Sequence, residues 1–128
     1  MKFVINLLVL TFTLSTYAFN AEETFKKQCT ACHTIGEGDK IGPDLAGLSK
    51  RREVEWIVKF VNYPSGMIEG DEEEEGYEKA DPIAKKLYDM YKPQMMTEFE
   101  LDKSQVEAIL KYIDGQKKQP KGKITQFK

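Results

Sequence analysis

The sequence has little histidine, little cysteine and almost no net charge. A formal charge of −2 over 128 residues is too small to indicate a nucleic-acid partner. No internal repeat is present, and no segment alternates apolar and polar residues in the way that a half-buried strand requires. These absences exclude a β-sheet protein and a solenoid, and they favour helices joined by loops.

The sequence also lacks an apolar run of the ~20 residues that a membrane-spanning helix needs. The longest run, residues 3–14, follows the basic Lys2, and small residues stand at Thr16 and Ala18. This pattern predicts a signal peptide over residues 1–18, removed after Ala18. Export without stable membrane insertion follows, and an uncleaved N-terminal membrane anchor is the alternative.

The remaining chain has the length of one domain, over residues 19–115, followed by a basic tail over residues 116–128. The tail holds five lysines and no acidic residue, whereas residues 69–81 hold eight carboxylates and one lysine. We expect a solvated acidic loop and a frayed tail. The alternative for both is electrostatic steering toward a partner.

Four stretches place apolar residues at helical spacing, which predicts an all-α fold. They run over residues 21–32, 50–63, 82–92 and 102–115. We expect Pro64 and Gly66 to end the second helix, Asp81 to cap the third and Asp102 to begin a capping box on the fourth. The glycine-rich residues 34–48 predict a long loop between the first two helices.

The cysteines lie three positions apart in Cys29-Thr30-Ala31-Cys32-His33. Two thiols at this spacing reach the vinyl groups on one edge of a porphyrin, and the adjacent imidazole reaches the iron from the same face. The pattern therefore indicates one covalently attached haem. A thiol–disulfide oxidoreductase is the alternative, but the βαβ pattern expected around its motif is missing.

His33 is the only histidine, so no second imidazole of this chain can bind the iron. A methionine thioether is the first candidate for the sixth ligand, and water or an open position are the others. Met90 lies within a predicted helix and Met67 follows a proline turn. Met95 and Met96 lie in an extended segment before the last helix, which favours this pair.

The chain resembles a class I c-type cytochrome domain over essentially all of its length after residue 18. The resemblance depends on residues 29–33, on Gly42-Pro43-Asp44-Leu45, on the methionine segment and on a last helix ending in Tyr112-Ile113. It implies a small cytochrome c fold, with about four helices packed around one covalently bound haem c.

The resemblance also implies a role for individual residues. Cys29 and Cys32 form the thioethers, His33 is the proximal ligand, and the carbonyl of Pro43 accepts a hydrogen bond from its imidazole. The distal methionine lies five residues before the leucine that opens the last helix, which selects Met96.

Met95 remains the alternative distal ligand, because Thr97 stands where the family commonly has proline after the ligand. The indole N–H of Trp56 is a candidate partner for a haem propionate, although the aromatic residues also suit a helical core. Lys40 and Arg51 are further candidates for the propionates.

These expectations describe a monomeric electron-transfer protein, not an enzyme: a one-electron carrier between periplasmic or membrane redox partners, which dock through charged surface. One alternative is a cytochrome c subunit of a larger oxidoreductase complex. Another is a haem enzyme or sensor with an open sixth iron position.

Overall fold

The computed structural model describes residues 18–127, so the predicted signal peptide lies outside the described residues except for Ala18. Within this range the chain forms five α-helices and no strand, which confirms the all-α prediction. The helices are α1 (Ala21–Gln28), α2 (Val54–Asn62), α3 (Pro64–Glu69), α4 (Pro82–Tyr91) and α5 (Lys103–Gly115). Short 3-10 turns occupy Leu48–Lys50 and Lys123–Gln126.

Side-chain caps fix the beginnings of three helices. The Asn20 carboxamide accepts the Glu23 N–H at 3.0 Å, and the Asp81 carboxylate accepts two backbone N–H groups of α4. Asp102 and Gln105 form the predicted capping box on α5. Each cap satisfies amide groups that have no partner inside the helix, so these boundaries are set locally.

Helix α1 is shorter than predicted, because it ends at Gln28 instead of continuing to Cys32. The Cys29 amide closes the helix on the Phe25 carbonyl, and the amides of Cys32 and His33 then both bond to the Cys29 carbonyl. The chain therefore turns tightly through the cysteine motif, which gathers both thiols and the imidazole at the end of α1.

The second helix, α2, ends at Asn62 just before Pro64, as expected, but Pro64 and Gly66 then lie within a further helix, α3, which was not predicted. Pro64 begins α3 at its first position, where a missing amide hydrogen has no cost. Gly66 is required because a Cβ at this position would lie 2.3 Å from the Tyr63 ring. The short helix buries Met67 and Ile68.

Three buried clusters join the helices. α1 packs on α5 through Phe25, Ile109 and Ile113, and α2 packs on a second strip of α5 through Ile57, Val106 and Leu110. α3 packs on α4 through Met67, Ile68 and Ala84. α5 thus supports both α1 and α2, and the space enclosed by the helices remains open at the centre.

The C-terminal segment is not frayed, so that expectation is wrong. Lys117 adopts a left-handed conformation with φ of 52°, which turns the chain back after α5. Residues 118–127, here called the C-terminal strap, lie against the loop that follows the cysteine motif, and Ile124 is only 5% exposed. The tail is held in place because Ile124 occupies a buried site, while most of its other side chains remain exposed.

The acidic segment forms an ordered loop with exposed side chains. Backbone hydrogen bonds join Asp71 to Tyr77 and Glu74, and the Tyr63 hydroxyl donates to the Asp71 carboxylate at 2.7 Å. Glu72, Glu73, Glu74 and Glu75 remain exposed, as expected for a solvated loop. Over residues 18–127, no helix has both the length and the apolar character needed to cross a membrane.

Candidate functional site

All five helices contribute to the wall of one apolar cavity of about 220 Å³. Phe25, Ile57, Ile68, Leu87 and Ile109 represent the five helices in this wall. The cavity also brings together most of the site residues predicted from the sequence, namely Cys29, Cys32, His33, Pro43, Trp56, Met95 and Met96, whereas Lys40 and Arg51 do not line it. An apolar space with a few sulfur and nitrogen atoms at its edge is suited to a large, flat, apolar cofactor.

The imidazole of His33 is oriented by the loop that follows it. Its Nδ1 lies 2.8 Å from the Pro43 carbonyl oxygen, so Nδ1–H donates and Nε2 keeps its lone pair. Burial lowers the pKa of His33 more than the bond to Pro43 raises it. The imidazole is therefore neutral at pH 7, which is the form that binds a metal.

Gly42 leaves the space that this imidazole occupies. A Cβ at Gly42 would lie 2.6 Å from Cε1 of His33, which is closer than carbon atoms approach. The Gly42 amide also donates to the Cys32 carbonyl at 2.8 Å. The glycine–proline pair therefore sets both the distance and the rotation of the ring.

The two thiols line the cavity without forming a disulfide with each other. Burial, with a smaller contribution from nearby Cys32, raises the pKa of Cys29 to about 11. A thiol–disulfide oxidoreductase needs a thiolate of lowered pKa, and it needs a fold that this all-α chain does not have. The geometry therefore disfavours that alternative and leaves two free thiols facing an apolar space.

The structure separates the four methionines that follow the predicted signal peptide. Met95 and Met96 line the cavity, whereas Met67 is buried in α3 and Met90 lies in α4, outside the cavity wall. Met95 also packs against the buried cluster of Met67, Ile68 and Ala84. Met96 does not pack against that cluster, so its thioether is the one of the two that is not engaged in the packing of α3 on α4.

Hydrogen bonds to α2 hold the segment that carries these methionines. The Phe99 amide donates to the Val61 carbonyl at 3.0 Å. The Asn62 carboxamide accepts the Leu101 amide at 2.9 Å and donates to the Leu101 carbonyl at 2.7 Å. The Asn62 side chain thus satisfies both backbone groups of Leu101, and the extended segment is held against the cavity.

One edge of the cavity carries two buried donors. Among the described residues, Nε1 of Trp56 and Nε of Arg52 have no hydrogen-bond partner. They lie beside a second cavity of about 50 Å³, which shares Pro43, Leu45, Leu48, Trp56 and Leu87 with the first. Buried donors need acceptors, and the two propionate carboxylates of a haem would supply them. The residues present therefore fit the predicted cofactor.

Arg52 was not identified from the sequence, whereas Lys40 and Arg51 were considered. The structure assigns other partners to those two: Lys40 donates to the Thr30 carbonyl, and Arg51 donates to the carbonyls of Asp44 and Ala46. The only sequence signal for Arg52 is its place four residues before Trp56. Arg52 lies just before α2, and its guanidinium Cζ is 5.5 Å from the centre of the Trp56 ring, so the turn into the helix brings the two donors to the same edge.

Asp44 organises the loop that bears Pro43, and the sequence did not reveal this role. Its carboxylate is fully buried and accepts backbone N–H groups from Gly36, Gly38, Ala46 and Lys121. Burial acts to raise the pKa of Asp44, but these four hydrogen bonds outweigh it and lower the pKa. Asp44 therefore stays ionised and holds the loop in one conformation.

Comparison with known proteins agrees with the resemblance noted in the sequence. The family model described as Cytochrome c matches residues 19–117, which includes every predicted site residue. The match ends at Lys117, so the C-terminal strap lies outside it. No curated protein matches the chain significantly.

Solved structures also match. Cytochrome c from Rhodothermus marinus is 34% identical, with a TM-score of 0.58 over 74% of this chain and 72% of that one. The cytochrome c domain of the pp3183 protein from Pseudomonas putida is 26% identical, with a TM-score of 0.56 over 76% and 87%. An engineered Rhodothermus marinus cytochrome c bound to a carbene intermediate is 32% identical, with a TM-score of 0.54 over 74% and 71%.

Proposed function

The chain belongs to the cytochrome c family, and on that premise we propose that it carries single electrons between redox proteins of the periplasm. Its cofactor is one covalently attached haem c, and its general role is electron transfer. When bound, the haem supplies an iron that alternates between the ferrous and ferric states. The observation that carries the proposal is the cavity, where two thiols, one imidazole and two thioethers meet.

We assign the thioether links to Cys29 and Cys32 and the proximal ligand to His33. The turn at the end of α1 supports this assignment, because the amides of Cys32 and His33 share one carbonyl acceptor. The bond from His33 to the Pro43 carbonyl keeps Nε2 available and the ring orientation constant. A fixed ligand reduces the rearrangement that accompanies each electron transfer.

We assign the distal ligand to Met96 and keep Met95 as the alternative. Two observations support Met96: its position five residues before Leu101, and the packing of Met95 against the α3–α4 cluster. A methionine ligand raises the reduction potential and leaves no open coordination position. The protein then acts by outer-sphere transfer and binds no substrate at the iron.

Two variants test this assignment on haem-loaded protein expressed with export. Met96→Ala is expected to abolish the sulfur-to-iron charge-transfer band of the oxidised protein and to lower the midpoint potential. Met95→Ala is the matched control and keeps both. The reverse result assigns Met95, and a band that survives in both variants contradicts methionine ligation altogether. Haem that extracts freely into acidic acetone contradicts the covalent links.

A haem enzyme with an open sixth position is the second candidate. It is favoured by one observation, the likeness to an engineered cytochrome c whose structure holds a carbene intermediate. The same pair of variants separates the two functions. An electron carrier gains the ability to bind carbon monoxide tightly only after Met96→Ala, whereas an open-site enzyme binds it equally well before the substitution.

We place the protein in the periplasm and expect it to be monomeric, with partners that dock on its charged surface. The predicted signal peptide supports export, and exposed Glu72 to Glu75 supply a negative surface. Purification of a single monomeric haem protein from the periplasmic fraction is the expected result. Co-purification in a fixed stoichiometry with a larger oxidoreductase contradicts a free carrier and indicates a subunit.

A further inference from the structure

We propose that the C-terminal strap is part of the haem site, where Phe127 holds the Arg52 side chain at the propionate edge and keeps water from it. The inference rests on the proposed function, since it requires the haem. The strap lies beyond the residues that the family model matches, so the family likeness does not assign it this role.

Two aspartates attach the strap to the loop over residues 34–48, which follows the cysteine motif. The Lys121 amide donates to the buried Asp44 at 3.1 Å, and the Lys123 amide donates to Asp39 at 2.8 Å. The other oxygen of Asp39 accepts the hydroxyl of Tyr91, whose ring lines the large cavity. The strap is therefore connected to the loop through Asp44 and Asp39, and to α4 through Asp39 and Tyr91.

Close packing accompanies these hydrogen bonds. At Gly36, which has φ of 74°, an added Cβ would lie 2.4 Å from the Cβ of Lys118. Ile124 inserts into the wall of the second cavity and is buried. The buried Ile124 and the backbone hydrogen bonds of Lys121 and Lys123 thus anchor the strap, while most of its side chains remain exposed. These anchors position its last described residue.

That residue, Phe127, reaches the guanidinium of Arg52. Cζ of Arg52 lies 4.9 Å from the centre of the Phe127 ring and 5.5 Å from the centre of the Trp56 ring. Nζ of Lys86 lies 4.6 Å from the Phe127 ring. Cation–π attraction to two rings restricts a side chain that is otherwise flexible.

The contact between Phe127 and Arg52 matters because of where the Arg52 side chain lies. Its Nε is buried without a partner among the described residues, beside the cavity that Phe127, Ile124 and Trp56 line. A carboxylate at this edge would find the Nε–H of Arg52 and the indole N–H of Trp56 already in place. The strap removes water that would compete for both donors.

Shielding of this edge raises the reduction potential. The oxidised haem carries one more positive charge than the reduced haem, so water near the cofactor stabilises the oxidised form. A strap that excludes water favours the reduced form. A strap that only stabilised the fold would change the free energy of unfolding without changing the potential.

The test uses the full-length, haem-loaded protein and the variant Phe127→Ala. Two properties are measured: the exchange of the Arg52 Nε proton with water in the reduced protein, by ¹⁵N-resolved NMR, and the midpoint potential. We expect exchange to become about tenfold faster or more, because cover equivalent to about 1.4 kcal/mol is lost, and the potential to fall. Phe127→Tyr keeps the ring and should restore both values.

Lys118→Ala is the control, because it removes the ion pair with Glu37 and the part of the Lys118 side chain beyond Cβ that packs on Gly36, and it leaves Phe127 unchanged. Unchanged exchange and potential in Phe127→Ala overturn the proposal, as does an equal effect of Lys118→Ala. If Phe127→Ala yields no holoprotein, Phe127→Leu is measured against the same criteria. If the wild-type protein carries covalent haem with a one-electron couple, and Phe127→Ala changes neither measured property, only the role of the strap is refuted. If the wild-type protein carries no haem, the proposed function is refuted.

Discussion

The imidazole Nδ1 of His33 lies 2.8 Å from the carbonyl oxygen of Pro43, and the same ring is so close to Gly42 that an added Cβ would lie 2.6 Å from its Cε1. The Gly42-Pro43 pair thus positions the side chain of His33, which lies nine and ten positions earlier in the chain. This relationship connects the loop conformation to the proposed iron ligand, and the first prediction follows from it.

Gly42→Ala should weaken the proximal ligand. The new Cβ would lie 2.6 Å from Cε1 of His33, so either the ring or the loop must move. Overpacking of this kind costs about 1 to 3 kcal/mol of the free energy of unfolding. We expect an altered absorption spectrum and a lower midpoint in denaturant. Gly115→Ala is the matched control, since nothing lies within 4 Å of its added Cβ.

Asp44→Asn should destabilise the protein and flatten its acid sensitivity. Each carboxylate oxygen accepts two backbone N–H groups, and the amide nitrogen that replaces one oxygen cannot accept its two, so we expect a loss of about 3 kcal/mol at pH 7. The pKa of Asp44 is lowered in the folded state. Its contribution to stability is therefore complete above the unfolded pKa and is lost as pH falls through the folded pKa.

Denaturant titrations between pH 7 and pH 3 measure this effect. Wild-type protein should lose more stability over the acid range than Asp44→Asn, so the two curves converge at low pH. Asp114→Asn changes an exposed aspartate that accepts the Ser49 hydroxyl, and it should cost about 0.5 kcal/mol or less. Parallel curves for wild type and Asp44→Asn would contradict the buried, ionised state.

Asn62→Ala should loosen the methionine segment. Both hydrogen bonds between Asn62 and the Leu101 backbone are lost, which leaves a half-buried amide and carbonyl without partners and costs about 2 kcal/mol. We expect the sulfur-to-iron band to disappear at a lower temperature than the Soret band changes. If the temperature interval between the two changes is the same in Asn62→Ala as in the wild type, the two hydrogen bonds do not hold the methionine ligand in place.

Neutralisation of the exposed acidic loop should slow electron transfer to a basic partner. The double variant Glu73→Gln, Glu74→Gln removes two charges that have no ion-pair partner among residues 18–127. Steered association depends on ionic strength, so the wild-type rate constant should fall about tenfold or more with added salt, and the variant should respond less. Glu22→Gln, Glu23→Gln in α1 is the control with equal charge change; an equal effect would locate docking elsewhere.

Much of the site was readable in the sequence because it depends on neighbours along the chain. The cysteine motif spans five residues, the caps of α4 and α5 span three or four, and the Gly-Pro pair follows within one loop. Helix α3 was not predicted, because it depends on contacts with a distant part of the chain. Pro64 terminates a helix or begins one according to what Met67 and Ile68 find to pack against, and that partner is α4.

The sequence by itself determined the attachment motif, the single histidine, the two adjacent methionines and most helix boundaries, since local spacing and capping suffice for these. Only the tertiary structure decided which residues share an edge of the cavity. Asp44 meets Lys121 across 77 positions, and Arg52 meets Phe127 at the far end of the chain. Such contacts arise from packing of whole helices around a common space, and no local pattern encodes them.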